Sequence, residues 1–307
     1  MIIYDTIIIG SGPAGLVSGL YGGRAGLKTL LFDKGNSGGT GNIAPLVENF
    51  PGFDRINGRK LMEYMDKQSR KYTTIKEYSE VTNVKYDGNY FIITSKDEKY
   101  YSYTLLLCTG SLNKRLNVPG EGEYLGRGVS YCAMCDGSFF IDKKVVIVGG
   151  GNSAATQALY LNNINVKPTI IHRRDSLRAD KKLQDELKEE NISILYDSSL
   201  EKIQGGGRVE EVIVKNRKTN KQTTIKIDGV FIAIGYNPNN KLASMLNVNC
   251  NDLGYIKVDE TMKTNVKGVY AAGDITGGLK QILTAAAQGA IAINDIQESI
   301  KMYKLGE

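Results

Sequence analysis

The 307-residue sequence has no tryptophan, one histidine and four cysteines. A mechanism that depends on a pair or triad of histidines is therefore not expected. A secreted scaffold held together by disulfides is not expected either, because four cysteines are few for a chain of this length. Two of the four, Cys132 and Cys135, form a C-x-x-C motif, which in a cytosolic protein points to redox or metal chemistry.

Long apolar runs are also missing. No stretch approaches the roughly eighteen residues that a membrane span requires, and the apolar N-terminus lacks the features of a signal peptide. The net charge of +6 is mild, and basic and acidic residues mostly alternate. We therefore expect neither nucleic acid nor a membrane as a partner, and we expect the protein in the cytoplasm.

The first forty residues predict a strand, a glycine-rich turn, a helix and a second strand. The turn carries a G-x-G-x-x-G motif, in which Gly10 permits the tight turn, Gly12 lets backbone approach a pyrophosphate and Gly15 allows close packing of helix and strand. The N-terminus of the helix offers free N–H groups to phosphates. Asp33, at the end of the second strand, can accept hydrogen bonds from a ribose. This unit predicts a site for a dinucleotide with an unphosphorylated adenosine ribose.

The same pattern recurs from residue 143. A predicted strand leads into a G-x-G-x-x-A motif at Gly149–Ala154, and a helix and another strand follow. His172 follows Gly149 by 23 positions, as Asp33 follows Gly10, but here the acid is replaced by His172-Arg173-Arg174 with Arg178 beyond. Arginine forks bind a phosphate through paired, charge-assisted hydrogen bonds. The second unit therefore predicts an NADP(H) site.

The two units interleave along the chain. The sequence predicts an α/β fold of two Rossmann-like, three-layer dinucleotide-binding domains, the second inserted into the first. Residues 1–113 and 246–307 are expected to form the first domain, to which the family resemblance given below assigns FAD, and residues 114–245 the NADPH-binding domain with the C-x-x-C motif. Two linker-like crossings between the domains could act as a hinge.

The C-x-x-C motif itself is compatible with zinc, a structural staple or electron transfer. A structural zinc site needs four ligands, and the remaining soft ligands, Cys108, Cys250 and His172, are isolated in the sequence, so that no metal is expected. A staple is disfavoured because a loop with only two intervening residues constrains little of the unfolded chain. Electron transfer is the interpretation that these arguments favour.

The ordered motifs GSGPAG, VENFPG, CTGS, CAMCDGSFF, GGGNSA, HRRDSLRA, AIGYNP and GVYAAGDI extend over nearly the whole chain. Together they resemble the low-molecular-weight thioredoxin reductases, FAD-dependent pyridine nucleotide–disulfide oxidoreductases. The resemblance implies the redox pair Cys132 and Cys135 with Asp136 as its acid–base residue. For FAD it implies Gly10, Gly12, Pro13, Ala14, Gly15, Asp33, Asn49, Val81, Thr109, Gly110, Gly273, Asp274, Gln281 and Ile282. For NADPH it implies Gly149, Gly151, Asn152, Ser153, Ala154, His172, Arg173, Arg174 and Arg178.

The resemblance also implies a path for electrons and a partner. NADPH reduces the flavin, the flavin reduces the disulfide, Cys135 lies nearest the flavin, and Cys132 attacks the disulfide of thioredoxin or a glutaredoxin-like protein. A C-x-x-C motif that opens a helix favours the thiolate. Rotation of one domain on the two crossings would present the dithiol to flavin and partner in turn, and a homodimer is expected.

Three departures from the family pattern leave alternatives open. Thr156-Gln157 stands where members usually carry two acids, Met134 replaces a frequent threonine, and GGTGNIAPLVENFPG lacks the common Gly-Gly-Gln-Leu near the flavin. Some members of the family take electrons from ferredoxin or a reduced deazaflavin and tend to lack the arginine motif, which this chain keeps. NADPH is therefore the expected donor, and ferredoxin, a reduced deazaflavin or NADH is the alternative. A flavin redox sensor without turnover is a second alternative.

Overall fold

The computed structural model describes residues 2–44 and 46–305. Its helices are α1 (Pro13–Arg24), α2 (Gly58–Ser69), α3 (Ala133–Asp136), α4 (Asn152–Asn163), α5 (Lys181–Glu189), α6 (Lys241–Met245) and α7 (Ile282–Leu305). Its first nine strands are β1 (Ile3–Ile9), β2 (Thr29–Phe32), β3 (Thr74–Lys76), β4 (Val81–Tyr86), β5 (Phe91–Ser95), β6 (Glu98–Leu107), β7 (Ser111–Asn113), β8 (Val129–Ser130) and β9 (Lys144–Gly149). The others are β10 (Lys167–Ile171), β11 (Ser193–Leu195), β12 (Ser198–Gln204), β13 (Glu211–Asn216), β14 (Gln222–Lys226), β15 (Gly229–Ala233), β16 (Tyr236–Pro238) and β17 (Val269–Ala271).

The chain divides into two compact units. The first unit comprises Met1–Leu112 and Asn237–Glu307, and the second comprises Asn113–Tyr236. The return crossing lies nine residues before the position expected from the sequence. The reason is that α6 packs Leu242 and Ala243 into the core of the first unit, beside Val248 and Ile256. Residues 237–245 therefore belong to the first unit.

The first unit is built on a sheet with strand order β3-β2-β1-β6-β5-β4, and β17 also pairs with β6. β1, β2, β3, β6 and β17 are parallel, whereas β4 and β5 are antiparallel additions. The apolar run of β1 is buried on both faces of the sheet, as is typical of a parallel sheet covered on both sides. Ile8 packs with residues of α1 and α7, and Ile7 and Ile9 pack in a separate cluster on the other face.

The second unit contains a parallel sheet of order β11-β10-β9-β15-β8 and a separate antiparallel sheet of order β12-β13-β14. Alternate residues of β9 again face different clusters. Val145 and Ile147 pack with α4, whereas Val146 and Val148 pack with the residues of the antiparallel sheet. The predicted α/β class with two parallel sheets is confirmed. Among the described residues, no helix is long and apolar enough to cross a membrane.

Candidate active site

The glycine turn of the first unit joins β1 to α1. Gly10 has φ +107°, and a β-carbon there would lie 2.2 Å from the carbonyl oxygen of Cys108. A β-carbon at Gly15 would lie 1.8 Å from the carbonyl oxygen of Gly10, so the close packing of helix and turn requires glycine. At Gly12, in contrast, no described atom outside residues 11–13 lies within 4 Å of the position of a β-carbon. The turn therefore leaves open space at the N-terminus of α1, which begins at Pro13 with no side-chain cap.

Asp33 closes this turn by hydrogen bonding to it. Its Oδ2 accepts hydrogen bonds from the backbone N–H and the hydroxyl of Ser11, both at 2.7 Å, and its Oδ1 accepts one from the N–H of Gly35 at 2.8 Å. The sequence did not indicate these local partners. The structure thus gives Asp33 a role in shaping the loop, and a bond to a ribose stays a prediction.

The other residues expected at FAD are distributed over several elements of the same unit. Asn49 and Gln281, 232 positions apart, are joined by a hydrogen bond of 3.0 Å from Nδ2 to Oε1, just before α7 begins at Ile282. Thr109 exchanges hydrogen bonds with Asn239, both of 2.8 Å. Additional expected residues are Ala14, which is buried in α1, Val81 at the start of β4, and Gly110, which has φ +66°.

Gly273 and Asp274 lie between β17 and α7. Gly273 has φ +82°, and its N–H donates to Oε1 of Gln288 at 2.7 Å. Burial raises the pKa of the Asp274 carboxyl, and the nearby charge of Lys280 lowers it in part. The side chain of Asp274 is therefore held partly out of solvent at the end of the first unit where α7 begins.

The glycine turn of the second unit joins β9 to α4 and has the same organisation. A β-carbon at Gly149 would lie 2.5 Å from the carbonyl oxygen of Ala233 and 2.7 Å from Cβ of Ala154. At Gly151, no described atom outside residues 150–152 lies within 4 Å of the position of a β-carbon. Gly151 precedes α4, whose first turn has no side-chain cap. Ser153 lies exposed in that turn. This is again an open space beside a helix N-terminus, of the kind that a pyrophosphate occupies.

The structure places His172 beneath this turn and out of solvent. Its side chain is 4% exposed, and its Nδ1 donates to the carbonyl oxygen of Gly149 at 2.9 Å. A β-carbon at Gly150 would lie 2.0 Å from Nδ1, so the ring fills the space that glycine leaves free. Burial lowers the pKa of the imidazole. Among the described residues Nε2 has no hydrogen-bond partner, and His172 therefore supports the turn as a neutral ring.

The segment that carries the three predicted arginines follows His172 and is tied to the same turn through the backbone of Arg178. The N–H of Arg178 donates to the carbonyl oxygen of Gly150 at 2.6 Å, which ties the arginine segment to the glycines. Asn152 exchanges hydrogen bonds of 2.6 and 2.8 Å with Asp180, which fixes the end of that segment to α4. Arg173, Arg174 and Arg178 are exposed, and in the described part of the chain no ion pair neutralises their guanidinium groups.

Cys132 and Cys135 form a disulfide in the second unit, with their Cα atoms 5.3 Å apart. Cys132 is the N-cap residue of α3, and the N–H groups of Cys135 and Asp136 donate to its carbonyl oxygen. α3 is only one turn long and passes into a 3₁₀ helix at Gly137–Phe140. This segment therefore has no long helix of the kind that would stabilise a thiolate most strongly, and stabilisation of a thiolate here depends more on local hydrogen bonds.

Asp136 lies beside the disulfide, largely out of solvent. Its Oδ2 accepts a hydrogen bond from the hydroxyl of Ser130 at 2.6 Å, and the same hydroxyl oxygen accepts the N–H of Cys132 at 3.0 Å. Oδ1 is buried with no partner among the described residues. Burial raises the pKa of the carboxyl, and the bond from Ser130 lowers it in part. A carboxyl in this setting is suited to holding and releasing a proton near a thiol.

Ser130 and Gln157 are site residues that sequence reasoning did not assign. Oε1 of Gln157, on α4, accepts the N–H of Ala133, the first residue of α3, at 3.3 Å. The only sequence signal was the departure of Thr156-Gln157 from the family pattern. Cys108 is also explained here: it is buried under Gly10, and burial raises the pKa of its thiol to about 12, as expected for a core residue.

The residues present fit the two nucleotides that the sequence predicts. Each turn offers a glycine with open space, at Gly12 and Gly151, beside the uncapped N-terminus of a twelve-residue helix. The second turn has, in addition, an exposed arginine, Arg178, whose backbone is bonded to it. The described residues contain no group of three or more His, Cys, Asp or Glu side chains that could hold a metal ion.

The chain is similar to known proteins over nearly its whole length. The pyridine nucleotide-disulphide oxidoreductase family matches residues 4–289. The chain is 40% identical over 291 residues to the "34.2 kDa protein in rubredoxin operon" of Clostridium pasteurianum, with 94% of each chain covered. It is 38% identical over 312 residues to the thioredoxin reductase of Bacillus subtilis strain 168, with 98% of each covered.

Solved structures agree with the sequence relatives. The crystal structure of thioredoxin reductase from Streptococcus pyogenes MGAS5005 has a TM-score of 0.90 to this chain at 38% identity, with 99% of both chains covered. Matches of this extent confirm the resemblance that the ordered motifs predicted. The chain belongs to the pyridine nucleotide-disulphide oxidoreductase family.

Proposed function

We propose that this protein is an NADPH-dependent, FAD-containing reductase that transfers two electrons through the Cys132–Cys135 pair to the disulfide of thioredoxin or a glutaredoxin-like protein. The observation that carries the proposal is the Cys132–Cys135 disulfide with the buried carboxyl of Asp136 beside it. The thioredoxin reductases of B. subtilis and S. pyogenes, at 38% identity, support the choice of substrate.

The dithiol chemistry follows from the positions of the two sulfurs. In the reduced protein, the Cys132 thiolate attacks one sulfur of the partner disulfide, which forms a mixed disulfide and releases the partner's other sulfur as a thiolate. The Cys135 thiolate then attacks Cys132, restores the Cys132–Cys135 disulfide and frees the second partner thiol. Asp136, with its raised pKa, exchanges the proton that accompanies these steps.

We propose FAD for the first unit and NADPH for the second. The turn from Gly10 to Gly15 would hold the FAD pyrophosphate, and Asn49 and Gln281 the flavin region. FAD supplies the chemistry that links a two-electron donor to reduction of a disulfide. The turn at Gly151 and the three arginines would hold NADPH, because guanidinium groups favour a 2′-phosphate. We also propose that the protein is a cytoplasmic homodimer. Size-exclusion chromatography with light scattering tests the oligomeric state.

An anaerobic titration read at the flavin absorbance tests the donor. NADPH is expected to bleach the yellow protein at concentrations well below those that NADH requires. Replacing Arg173 and Arg174 together by alanine is expected to raise the NADPH concentration needed by about 10–100-fold, because charge-assisted hydrogen bonds are lost, and to leave the NADH requirement unchanged. Lys182→Ala is the matched control, since Lys182 is an exposed cation of the same unit whose ion-pair partner is Glu186.

Three results would redirect the proposal. If reduced ferredoxin or a deazaflavin bleaches the flavin and NADPH does not, the donor assignment is wrong. Cys135→Ser should abolish reduction of thioredoxin while flavin reduction by NADPH persists, and surviving turnover would contradict the role of the dithiol. Absence of turnover with every oxidised thioredoxin-like protein, despite flavin reduction, would favour a redox sensor.

A further inference from the structure

The disulfide segment, residues 130–140, is bonded to the body of the second unit at the first residue of α3. The N–H of Ala133, the residue after Cys132, donates to Oε1 of Gln157 at 3.3 Å. Gln157 lies on α4, whose Ala154, Ala155, Ala158 and Leu161 are buried in the unit's core. The side chain of Gln157 therefore connects a rigid, well-packed helix to the single turn that carries the redox pair.

Gln157 is also an uncharged acceptor in a place with few charges. Three titratable groups of the second unit lie on or near the disulfide segment besides Tyr131: Asp136 is on it, the ring of Tyr160 lies near Gly137, and the ammonium of Lys143 donates to the carbonyl oxygen of Phe139 at 2.8 Å. The neighbouring Tyr131 donates its hydroxyl to Glu121 at 2.6 Å. No ion pair of the described residues includes a residue of the segment 130–140. A charge at position 157 would lie at the Cys132–Ala133 peptide, whereas the ammonium of Lys143 is bound at the other end of the segment, at Phe139.

We infer that Gln157 is a positioning residue for the dithiol: its neutral oxygen fixes the first turn of α3 without placing a negative charge beside the Cys132 thiolate. The inference rests on the proposed role of Cys132 as the attacking thiolate. A carboxylate could accept the same N–H, but it would lie against the peptide that joins Cys132 to Ala133. Like charges at such short range disfavour each other, and the thiolate would become less stable.

The test compares the pKa of the Cys132 thiol among variants at position 157. If Gln157 made only a structural contact, this pKa would not depend on the charge at that position. The flavoprotein is reduced chemically, and the rate of iodoacetamide alkylation at Cys132 is followed against pH by peptide mass spectrometry, which separates Cys132 from Cys108, Cys135 and Cys250. Gln157→Glu keeps the acceptor and adds a charge. We expect it to raise the pKa of Cys132 by about one unit, so that alkylation at a pH below both values slows about tenfold.

Two further variants test whether the added charge and its position cause the rise in the pKa of Cys132. Asn163→Glu adds the same charge at an exposed position six residues farther along α4, where it does not lie against the Cys132–Ala133 peptide, and should raise the pKa of Cys132 less than Gln157→Glu does. Gln157→Met removes the acceptor without a charge and should not raise the pKa. An unchanged pKa in Gln157→Glu, or an equal rise in Asn163→Glu or Gln157→Met, would overturn the inference.

Gln157→Asp, with the same charge on a shorter side chain, replaces Gln157→Glu if the latter does not fold, as judged by circular dichroism and flavin absorbance. It should also raise the pKa of Cys132, and no rise would count against the inference. Alkylation needs neither NADPH nor a protein partner. A failure of this inference is therefore distinguishable from a failure of the proposed donor or substrate, which the flavin titration and the turnover assay measure separately.

Discussion

Replacing Gly150 by alanine tests how the only histidine supports the second glycine turn. A β-carbon at Gly150 would lie 2.0 Å from Nδ1 and 2.1 Å from Cε1 of His172, far inside van der Waals contact. The main chain of His172 is held on both sides, since its N–H donates to Leu195 and its carbonyl accepts from Ser198, both at 2.9 Å. The ring must therefore rotate away, and its hydrogen bond to Gly149 must break.

The size of the effect follows from these two losses. Overpacking of a buried site costs about 1–3 kcal/mol, and loss of a buried hydrogen bond costs about 1 kcal/mol more. The free energy of unfolding should fall by about 2–4 kcal/mol, out of the roughly 5–15 kcal/mol typical of a domain. Because the carbonyl of Gly150 also accepts the N–H of Arg178, the arginine segment should shift with the turn. We therefore expect weaker NADPH binding as well.

Gly151→Ala is the matched control. Beyond its chain neighbours, no described residue has an atom within 4 Å of the position of its β-carbon, so the stability should stay within about 0.5 kcal/mol of the wild type. The added methyl group fills the space expected for the pyrophosphate, and NADPH binding should weaken all the same. Urea unfolding followed by circular dichroism suits a protein without tryptophan, and the anaerobic flavin titration measures the nucleotide.

The two variants should thus separate stability from binding. The packing argument fails if Gly150→Ala unfolds at the same urea concentration as the wild type, or if Gly151→Ala loses equal stability. It also fails if Gly150→Ala binds NADPH as tightly as the wild type does, because the arginine segment would then be independent of the turn.

Further predictions concern His172, Ser130 and Gly12. Burial lowers the pKa of His172 in the folded chain. As the pH falls below about 6.5, the imidazole therefore binds a proton in the unfolded chain before it does so in the folded chain. Stability should then decrease, by at most about 1.4 kcal/mol per pH unit, and His172→Gln should lose this slope in urea unfolding at pH 7 and 5.5. Ser130→Ala removes the hydrogen bond that partly offsets the raised pKa of Asp136, and the limb of the pH–rate profile due to this carboxyl should move to higher pH. Gly12→Ala should weaken FAD binding in equilibrium dialysis without loss of stability, whereas Gly15→Ala should destabilise the fold.

Much of the fold could be predicted because its signals are local. The glycines at 10, 12 and 15 and at 149 and 151 reflect demands of the backbone at a strand–helix turn, and such demands leave a fixed spacing in the sequence. The apolar runs before both turns predict strands buried on two faces, which Ile7–Ile9 and Val145–Val148 are. The boundary of the inserted unit was less well defined, because the assignment of α6 depends on where Leu242 and Ala243 pack.

The sequence by itself determined the two nucleotide turns, the redox pair and the family, since each depends on residues adjacent along the chain. Only the tertiary structure decided what surrounds them. It placed the ring of His172 beneath Gly150, closed the carboxylate of Asp33 onto Ser11, and brought Gln157 to the first turn after Cys132. These contacts join residues 22 to 24 positions apart through side chains. No spacing rule records them, because they depend on how a helix or strand packs after the turn is formed.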